Sequence, residues 1–516
     1  MTPPVRPTYY VATPIYYVNG SPHIGHANTS VAADALARWK RLDGFDVMFL
    51  TGTDEHGQKV EKAAQDAGLD PQAFTDRVSA EFQAMGTLMG LSNDQFIRTT
   101  EKRHYASCQA LWTRLSERGE IYLGQYEGWY AVRDEAFYAE EETALHADGS
   151  RYATATGAPV EWVVEPSYFF RMSAWGDRLL AYYDSLPDAV MPPGRRNEVV
   201  SFVRGGLNDL SVSRTSFTWG IPVPGDPSHV MYVWLDALTN YITALGYPDQ
   251  TTDLWRFWPA NMHVVGKDIL RFHAVIWPAI LLAAGIQPAR SVFATGWWTV
   301  RGEKMSKSVG NVVAPSLLVE TYGLDPVRFF LMREVPFGND GDFSDSALVR
   351  RMNSELANDL GNLAQRTLSQ IAKNLVGVLP AATPPTQEDA TLLAAANALP
   401  AVLRPLMDRL ALGDAIEETW KVIRAANAYV DHQAPWALRK TDPARMAAVL
   451  RVLVDVIRPV ATVLQPIMPG SMARMLDQLG VPETARDLAA LSMPLPGGIT
   501  LPAPSGVFPR HIETVV

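Results

Sequence analysis

The chain reads as an α/β protein: an open parallel sheet split by an α+β insertion and followed by an α-helical bundle. Three observations predict this. Continuously apolar runs at 8–18, 46–51, 262–265 and 291–295 alternate with helical patterns, as strands buried on both faces of a parallel sheet do. Between about 119 and 229 the alternation gives way to short aromatic and Val-rich runs separated by acidic turns, including Glu140-Glu141-Glu142. From about Arg351 to Gln478 the apolar spacing becomes three and four, the period of packed helices.

The first strand, at about 8–18, is too apolar for a surface strand. A helix follows over about 24–42, with Ile24, Val31, Ala35, Leu36 and Trp39 on one stripe, and Gly44 stops it. A second strand at 46–51 ends in the turn Gly52-Thr53-Asp54-Glu55-His56-Gly57, and helical patterns run on to about Arg118. Strand, helix and strand in this order make a right-handed crossover. Ligands of such sheets sit beyond the carboxyl ends of the strands, where His23, His26 and Asp54 fall. After the insertion, an apolar run at 230–233 and a helix at about 235–245 lead to the strand at 262–265, which ends at Gly266-Lys267-Asp268. The next helix carries His273 and Trp277.

Residues 1–118 and 230–295 are thus read as two halves of one domain, with 119–229 as the insertion and 296–350 as a connector. Residues 351–478 form the helical domain. There Leu399, Leu403, Leu406 and Leu410 share one face and Ile416, Trp420, Ile423 and Val430 another, around a Pro-rich linker at 376–390. Residues 479–516 are expected to be an extension that packs back on the body.

Bulk properties narrow the function. A net charge of −10 over 516 residues leaves no global basic field, so any nucleic-acid contact rests on local clusters. The one cysteine, Cys108, allows no internal disulfide and no cysteine-based zinc site. The N-terminal stretch lacks the basic, apolar and cleavage regions of a secretion signal. The longest apolar run, 274–286, contains Pro278 and falls short of the ~20 residues of a membrane-spanning helix. A soluble, cytoplasmic protein is expected.

Two stretches carry the chemistry. Gly20-Ser21-Pro22-His23-Ile24-Gly25-His26 follows a buried strand and opens a helix, the place where backbone N–H groups and the positive dipole end meet a phosphate. Two histidines at i and i+3 also suit a metal or a plain polar helix start. Gly25 between them would let an adenine or phosphate approach the backbone, and the imidazoles could donate to triphosphate oxygens. The second stretch, Lys304-Met305-Ser306-Lys307-Ser308, lies between Gly302 and Gly310. Two ammonium groups on such a loop can close over a polyphosphate and neutralise leaving pyrophosphate, although for two arbitrary lysines a solvated surface loop is the favoured reading. No Walker A pattern and no Gly-x-Gly-x-x-Gly after a strand occur, so ATP would be held by these two stretches.

His23-Ile24-Gly25-His26 and Lys304-Met305-Ser306-Lys307-Ser308, in this order across a split α/β sheet, resemble the two signatures of class I aminoacyl-tRNA synthetases. Thr13-Pro14-Ile15-Tyr16-Tyr17-Val18-Asn19-Gly20, the turn Gly52–Gly57, Tyr232-Val233-Trp234-Leu235-Asp236-Ala237, Gly266-Lys267-Asp268-Ile269 and Gln433-Ala434-Pro435-Trp436 are similar to segments of methionyl-tRNA synthetases. The resemblance spans roughly 8–475. It implies a Rossmann-type catalytic domain, a connective insertion and an anticodon-binding bundle. The implied reaction uses ATP with Mg2+ to activate L-methionine as an adenylate and then charges tRNA(Met).

By the same resemblance, His23, Gly25, His26, Gly266, Asp268, Lys304 and Lys307 hold ATP and assist its reaction, with Asp268 on the ribose. Asp54 pairs with the methionine ammonium, although from local sequence alone it also suits a helix cap after Thr53. Ile15, Tyr17, Trp234, Leu238, Tyr241, Ile269, His273 and Trp277 would form the methionine pocket. Core packing explains Trp234 and Trp277 equally well. Asn362, Arg366, Pro435 and Trp436 match readers of the CAU anticodon. An aromatic next to a proline can stack an unpaired base, and Asn and Arg can bond its edge.

The chain departs from the family in its insertion. Where members with a zinc knuckle have cysteines, it has Ala131 and Asp134, then Ala153 and Thr156. No zinc is therefore expected, with Trp129, Phe137, Tyr138 and Trp162 packing in its place. A monomer is expected, since no appended dimerisation module is seen. Three alternatives were weighed: a synthetase for another aliphatic amino acid, which would need a larger editing insertion; a non-catalytic tRNA-binding paralogue; and an adenylyltransferase without an RNA role.

Overall fold

Strand β1 (Thr8–Tyr17), helix α1 (Ile24–Leu42) and strand β2 (Asp46–Asp54) form the first crossover of a computed structural model that describes residues 6–134, 136–305 and 311–511. β1 and β2 run parallel from Thr8 opposite Asp46 to Tyr17 opposite Asp54, with a register shift between Ala12 and Ile15. Pro14 lies in that shift; it has no N–H to give the ladder, and the strand end is re-aimed there. Strand β3 (Gln95–Arg98) extends the sheet beyond β2, and helix α2 (Lys102–Glu117) follows.

The insertion opens with β4 (Ile121–Ala131) paired antiparallel to β5 (Glu161–Phe170), from Ile121 opposite Phe170 to Tyr130 opposite Glu161. The chain then returns to the main sheet earlier than the sequence pattern implies. The two-residue strand β6 (Val190–Met191) pairs in parallel at the outer edge, although a run this short has no periodicity to detect. Helix α3 (Val233–Thr243) precedes β7 (Met262–Gly266) and β8 (Val292–Thr295). The completed sheet has the order β3-β2-β1-β7-β8-β6, parallel throughout.

In the connector, strand β9 (Trp298–Val300) pairs antiparallel with Glu303–Lys304 and parallel with Gly341–Phe343. Arg301 and Gly302 turn the hairpin at φ 56° and 76°, and Asp342 holds the turn by accepting from the Gly302 N–H (2.9 Å) and the Thr299 hydroxyl (2.7 Å). Two positive φ values in succession make a turn that suits the strand twist.

The helical domain is built from α4 (Asn362–Asn374), α5 (Gln387–Asp408), α6 (Leu412–Gln433) and α7 (Pro443–Leu464). Leu399 and Leu403 of α5 and Ile416, Trp420, Ile423 and Val430 of α6 are buried. Although α5 is long and apolar enough to cross a membrane by composition alone, its buried stripe packs on α6 and α7. Arg328 joins this domain to the sheet domain. Fully buried, it donates to Asp34 of α1 (2.6 Å) and to the carbonyls of Met89 (2.9 Å), Pro466 (2.8 Å) and Ile467 (2.9 Å). The tail is extended: Leu379 and Leu501 N–H groups bond across to Ile499 and Gly377, Arg451 holds the Leu495 carbonyl, and Val507 and Phe508 are buried.

Candidate active site

Both histidines of His23-Ile24-Gly25-His26 are built into the start of α1. His23 is the N-cap, with extended backbone, and its Nδ1 accepts the Gly25 N–H at 3.1 Å. The His23 N–H is donated in turn to Nδ1 of His26, at 3.1 Å. This is a reciprocal capping box with imidazoles in the places usually held by a hydroxyl and a carboxylate. Because each Nδ1 accepts, the proton of each neutral ring sits on Nε2, leaving each ring one N–H donor. Burial, then the neighbouring His23, holds the His26 pKa well below its ordinary value, so His26 is neutral at physiological pH.

The expectation that this turn presents its backbone N–H groups to a phosphate changes. The Gly25 N–H is spent on His23 and the Ile24 N–H on the Val313 carbonyl (3.0 Å), so neither is offered to a phosphate. A Cβ at Gly25 would stand 2.9 Å from Cε1 of His23, so the bare α-carbon makes room for the capping ring, and Gly25 also lines the main cavity.

The carboxyl ends of β1 and β2, the start of α1, α3 and the segments after β7 and β8 enclose a cavity of about 460 Å³. Ile15 and Tyr17 line it from β1, His23, Gly25 and His26 from α1, and Asp54 from β2. Trp234, Leu238 and Tyr241 line it from α3, and Gly266, Asp268, Ile269 and His273 from the stretch after β7. Trp277 stands apart from this wall. One turn beyond His273, its ring is fully buried, 6.4 Å from the Tyr241 ring. The side chain of Lys304 and all of Lys307 lie outside the described residues, while Met305 between them lines the cavity.

The apolar side is fixed by ring contacts and hydrogen bonds. Trp234 stacks on Phe272 with planes 9° apart. His273 sits in a π-helical turn, Phe272–Ile276, a local widening that recurs at functional sites. Its Nδ1–H is donated to the Ile269 carbonyl (3.0 Å), so Nε2 accepts the Tyr241 hydroxyl (2.7 Å). Burial pushes the His273 pKa down to about 4, which keeps the ring neutral and the wall uncharged. On the polar side, Asp268 accepts the Trp297 indole N–H at 3.3 Å, and Lys267 pairs with Asp340 at 2.6 Å.

Asp54 is buried at the end of β2, and its chain neighbours are anchored in opposite directions. Glu55 takes two bonds from Arg98 (2.7 and 3.0 Å). His56 donates Nδ1–H to Asp236 of α3 at 2.6 Å. Asp236 also binds Nε2 of His104 at 2.7 Å, with Cys108 close by. Donor atoms of His104, Cys108 and Asp236 lie within 4.8 Å of one another. Zinc ligands at bond lengths near 2.0–2.1 Å would stand about 3.3 Å apart, so the 2.7 Å approach of His104 to Asp236 is a hydrogen-bond spacing.

Sequence reasoning missed Lys59, Asn240, Asp134 and Trp297, all of which line the cavity. Lys59 places Nζ 5.4 Å over the Tyr17 ring, and its position just after the Gly52–Gly57 turn was the available signal. Asp134 arrives from the insertion and had none. The four positions at which the resemblance implied knuckle cysteines split into two pairs. Ala131 and Ala153 belong to a small apolar cluster with Ala158 and Val160, while Asp134 accepts from the hydroxyls of Thr156 and Tyr138.

A second cavity, about 220 Å³, lies in the helical domain between α4 and the start of the helix Pro435–Thr441. Arg366 and Trp436 line it, with the guanidinium 5.2 Å from the indole centroid and bonded to Asp431 at 2.7 Å. Trp436 is 45% exposed, where local sequence alone would make it a core plug. Ala434, at φ 44°, turns the chain sharply into the buried Pro435, and Asn362 is exposed one turn before Arg366.

Comparison with known proteins covers both parts of the chain. Residues 9–368 match the family model described as tRNA synthetases class I (M), and residues 379–514 the anticodon binding domain of methionyl tRNA ligase. The chain is 56% identical to a methionine–tRNA ligase of Mesorhizobium japonicum over 98% of each chain, and 55% identical to that of Brucella suis over 98% and 99%. A Mycobacterium tuberculosis methionyl-tRNA synthetase in complex with methionyl-adenylate superposes with a TM-score of 0.96 at 52% identity, covering 98% of this chain and 100% of that one. The free form of the M. tuberculosis enzyme superposes at 0.90 with 48% identity, covering 99% of each. Matched in both its catalytic and its anticodon-binding parts, the chain belongs to the methionyl-tRNA synthetases, in class I of the aminoacyl-tRNA synthetases.

Proposed function

We propose that the chain ligates L-methionine to tRNA(Met) in two steps, for initiation and elongation of translation. The methionine carboxylate attacks the α-phosphorus of ATP, forming methionyl-adenylate and releasing pyrophosphate. The terminal adenosine of the tRNA then takes the methionyl group, and AMP leaves. The observation that carries this reading is the main cavity, which gathers a buried carboxylate, an aromatic wall and two imidazoles in one volume. The M. tuberculosis relative solved with methionyl-adenylate supports the same intermediate here.

In this reading Asp54 takes the ammonium group. Ile15, Tyr17, Trp234, Leu238, Tyr241, Ile269 and His273 enclose the thioether, whose sulfur gains about 0.3–1.5 kcal/mol from aromatic contacts. Trp277 backs Tyr241. The neutral wall around His273 favours an uncharged side chain. Nε2–H groups of His23 and His26 donate to the phosphates as charge builds, and the lysine loop, with Lys304 and Lys307, covers the leaving pyrophosphate. Gly266 and Asp268 hold the adenosine. No general base is needed, because the carboxylate is already the nucleophile; catalysis is positioning and charge stabilisation. Magnesium enters with ATP as part of the substrate, since this ion binds through phosphates and one or two carboxylates. The insertion works without zinc, its knuckle positions closed by an apolar cluster and the Asp134 bonds.

At the far end, Trp436 stacks a base of the CAU anticodon against Pro435, and Asn362 and Arg366 bond its edges. In this reading the chain is a cytoplasmic monomer without membrane contact; light scattering on the purified protein checks the monomer. ATP–pyrophosphate exchange across the twenty amino acids tests the core of the reading. Exchange stimulated by methionine alone is expected. Stimulation by another amino acid, or none without tRNA, would overturn it.

A further inference from the structure

Methionine has a limited reach from ammonium to thioether, so its site needs Asp54 and the α3 wall held within that reach of each other. These come from segments far apart in sequence, and a 1 Å misplacement in such a site can cost about a hundredfold in rate. A buried hydrogen bond joins them. His56, two residues after Asp54, and Asp236, two after Trp234 and two before Leu238, are 180 positions apart in sequence and hydrogen-bonded at 2.6 Å. Both side chains are essentially fully buried. The far side of each partner is also tied: Nε2 of His56 meets the Tyr105 hydroxyl at 3.0 Å, and Asp236 holds His104 at 2.7 Å. Behind His56, Trp219 meets its ring edge-on at 5.5 Å and donates its indole N–H to the Glu55 carbonyl at 2.6 Å. None of His56, His104, Tyr105 and Asp236 lines the cavity.

We infer that the His56–Asp236 pair is a positioning element that sets the Asp54 turn against the Trp234–Tyr241 helix, and thereby tunes affinity for methionine. This rests on the proposed roles of Asp54 and Trp234. Burial pushes the Asp236 carboxyl up and the two histidines more than reverse it, leaving it near 2, so the acceptor stays ionised through the working pH range.

The test measures methionine and ATP KM by pyrophosphate exchange, with thermal melting on each variant. His56→Ala is expected to raise the methionine KM at least tenfold while the ATP KM stays within twofold. His56→Asn, whose amide puts an N–H where Nδ1 stands, should recover most of the loss. Tyr105→Phe, which removes the other partner of the same ring, should leave both constants within twofold. Asp236→Ala should repeat the His56→Ala pattern, and if it does not fold the His56 pair carries the test alone. A lower melting point with an unchanged methionine KM, an equal rise in both constants, or no rescue by asparagine would overturn the inference. Asp54→Ala separates the two levels. If it spares the methionine KM, the underlying site reading fails; if it raises it while His56→Ala does not, only the positioning role fails.

Discussion

Arg328→Met cuts the joint between the sheet domain and the helical domain without opening a large void. The guanidinium is fully buried and serves four acceptors: the Asp34 carboxylate and the Met89, Pro466 and Ile467 carbonyls. Removing one partner of a buried ion pair costs about 3–5 kcal/mol, mostly as the desolvation of the charge left behind. Here Asp34 keeps Arg38 at 2.7 Å and two bonds from Ser92 at 2.7 and 2.6 Å, which holds the ionic part at the low end. Each of the three carbonyls deprived of its donor adds about 1 kcal/mol to that low end of about 3, so a loss of about 6 kcal/mol is expected at neutral pH.

Burial pushes the Asp34 carboxyl up, and Arg328, Arg38 and the Ser92 bonds more than reverse this, so its folded pKa lies below the usual value. A depressed carboxyl contributes stability that is present above the unfolded pKa, near 3.9, and is lost as pH falls through the folded one. The gap between wild type and Arg328→Met should therefore narrow as pH drops below about 4. Urea unfolding followed by tryptophan fluorescence at several pH values measures both quantities. A loss under about 1 kcal/mol at neutral pH, or a gap that widens on acidification, would refute the reasoning.

Gly25→Ala should drive the His23 ring off its cap, because the new Cβ stands 2.9 Å from Cε1; adenylate formation should fall at least tenfold with methionine KM little changed, and equal activity would mean the ring is not needed in that pose. Lys307→Ala should slow adenylate formation on the order of a hundredfold, as loss of one transition-state donor does; a fall in methionine affinity alone would count against the role. Trp436→Ala should weaken tRNA charging by about 1–3 kcal/mol and spare pyrophosphate exchange, and the anticodon assignment is wrong if both fall together. Elemental analysis of purified protein should find no stoichiometric zinc.

Elements with a strong local signal were legible in the sequence: the strands that became β1, β2, β7 and β8, the α1 stripe and the Ile416–Val430 face. β6 was not, since two residues carry no period. His23, His26 and Asp54 were correctly placed beyond the strand ends, because topology alone puts them there. What the two histidines do to each other was hidden, since a capping box is read from serine or threonine with glutamate and not from imidazoles. The resemblance puts Trp277 in the methionine pocket; here its ring is fully buried behind Tyr241, a depth that sequence does not give. The network of His56, His104 and Asp236 could not be read at all. Its members are separated by 180 and 132 positions, and only the closed sheet brings them together.

The bond from the Ile24 N–H to the Val313 carbonyl ties the first turn of α1 to the chain just past the lysine loop. Being main chain to main chain, it is silent in any survey that truncates side chains. The start of α1 is thus anchored by a link that alanine scanning is blind to and that, at residue 24, only a proline would erase. An amide-to-ester exchange at residue 24, made by semisynthesis, is the perturbation that would expose it.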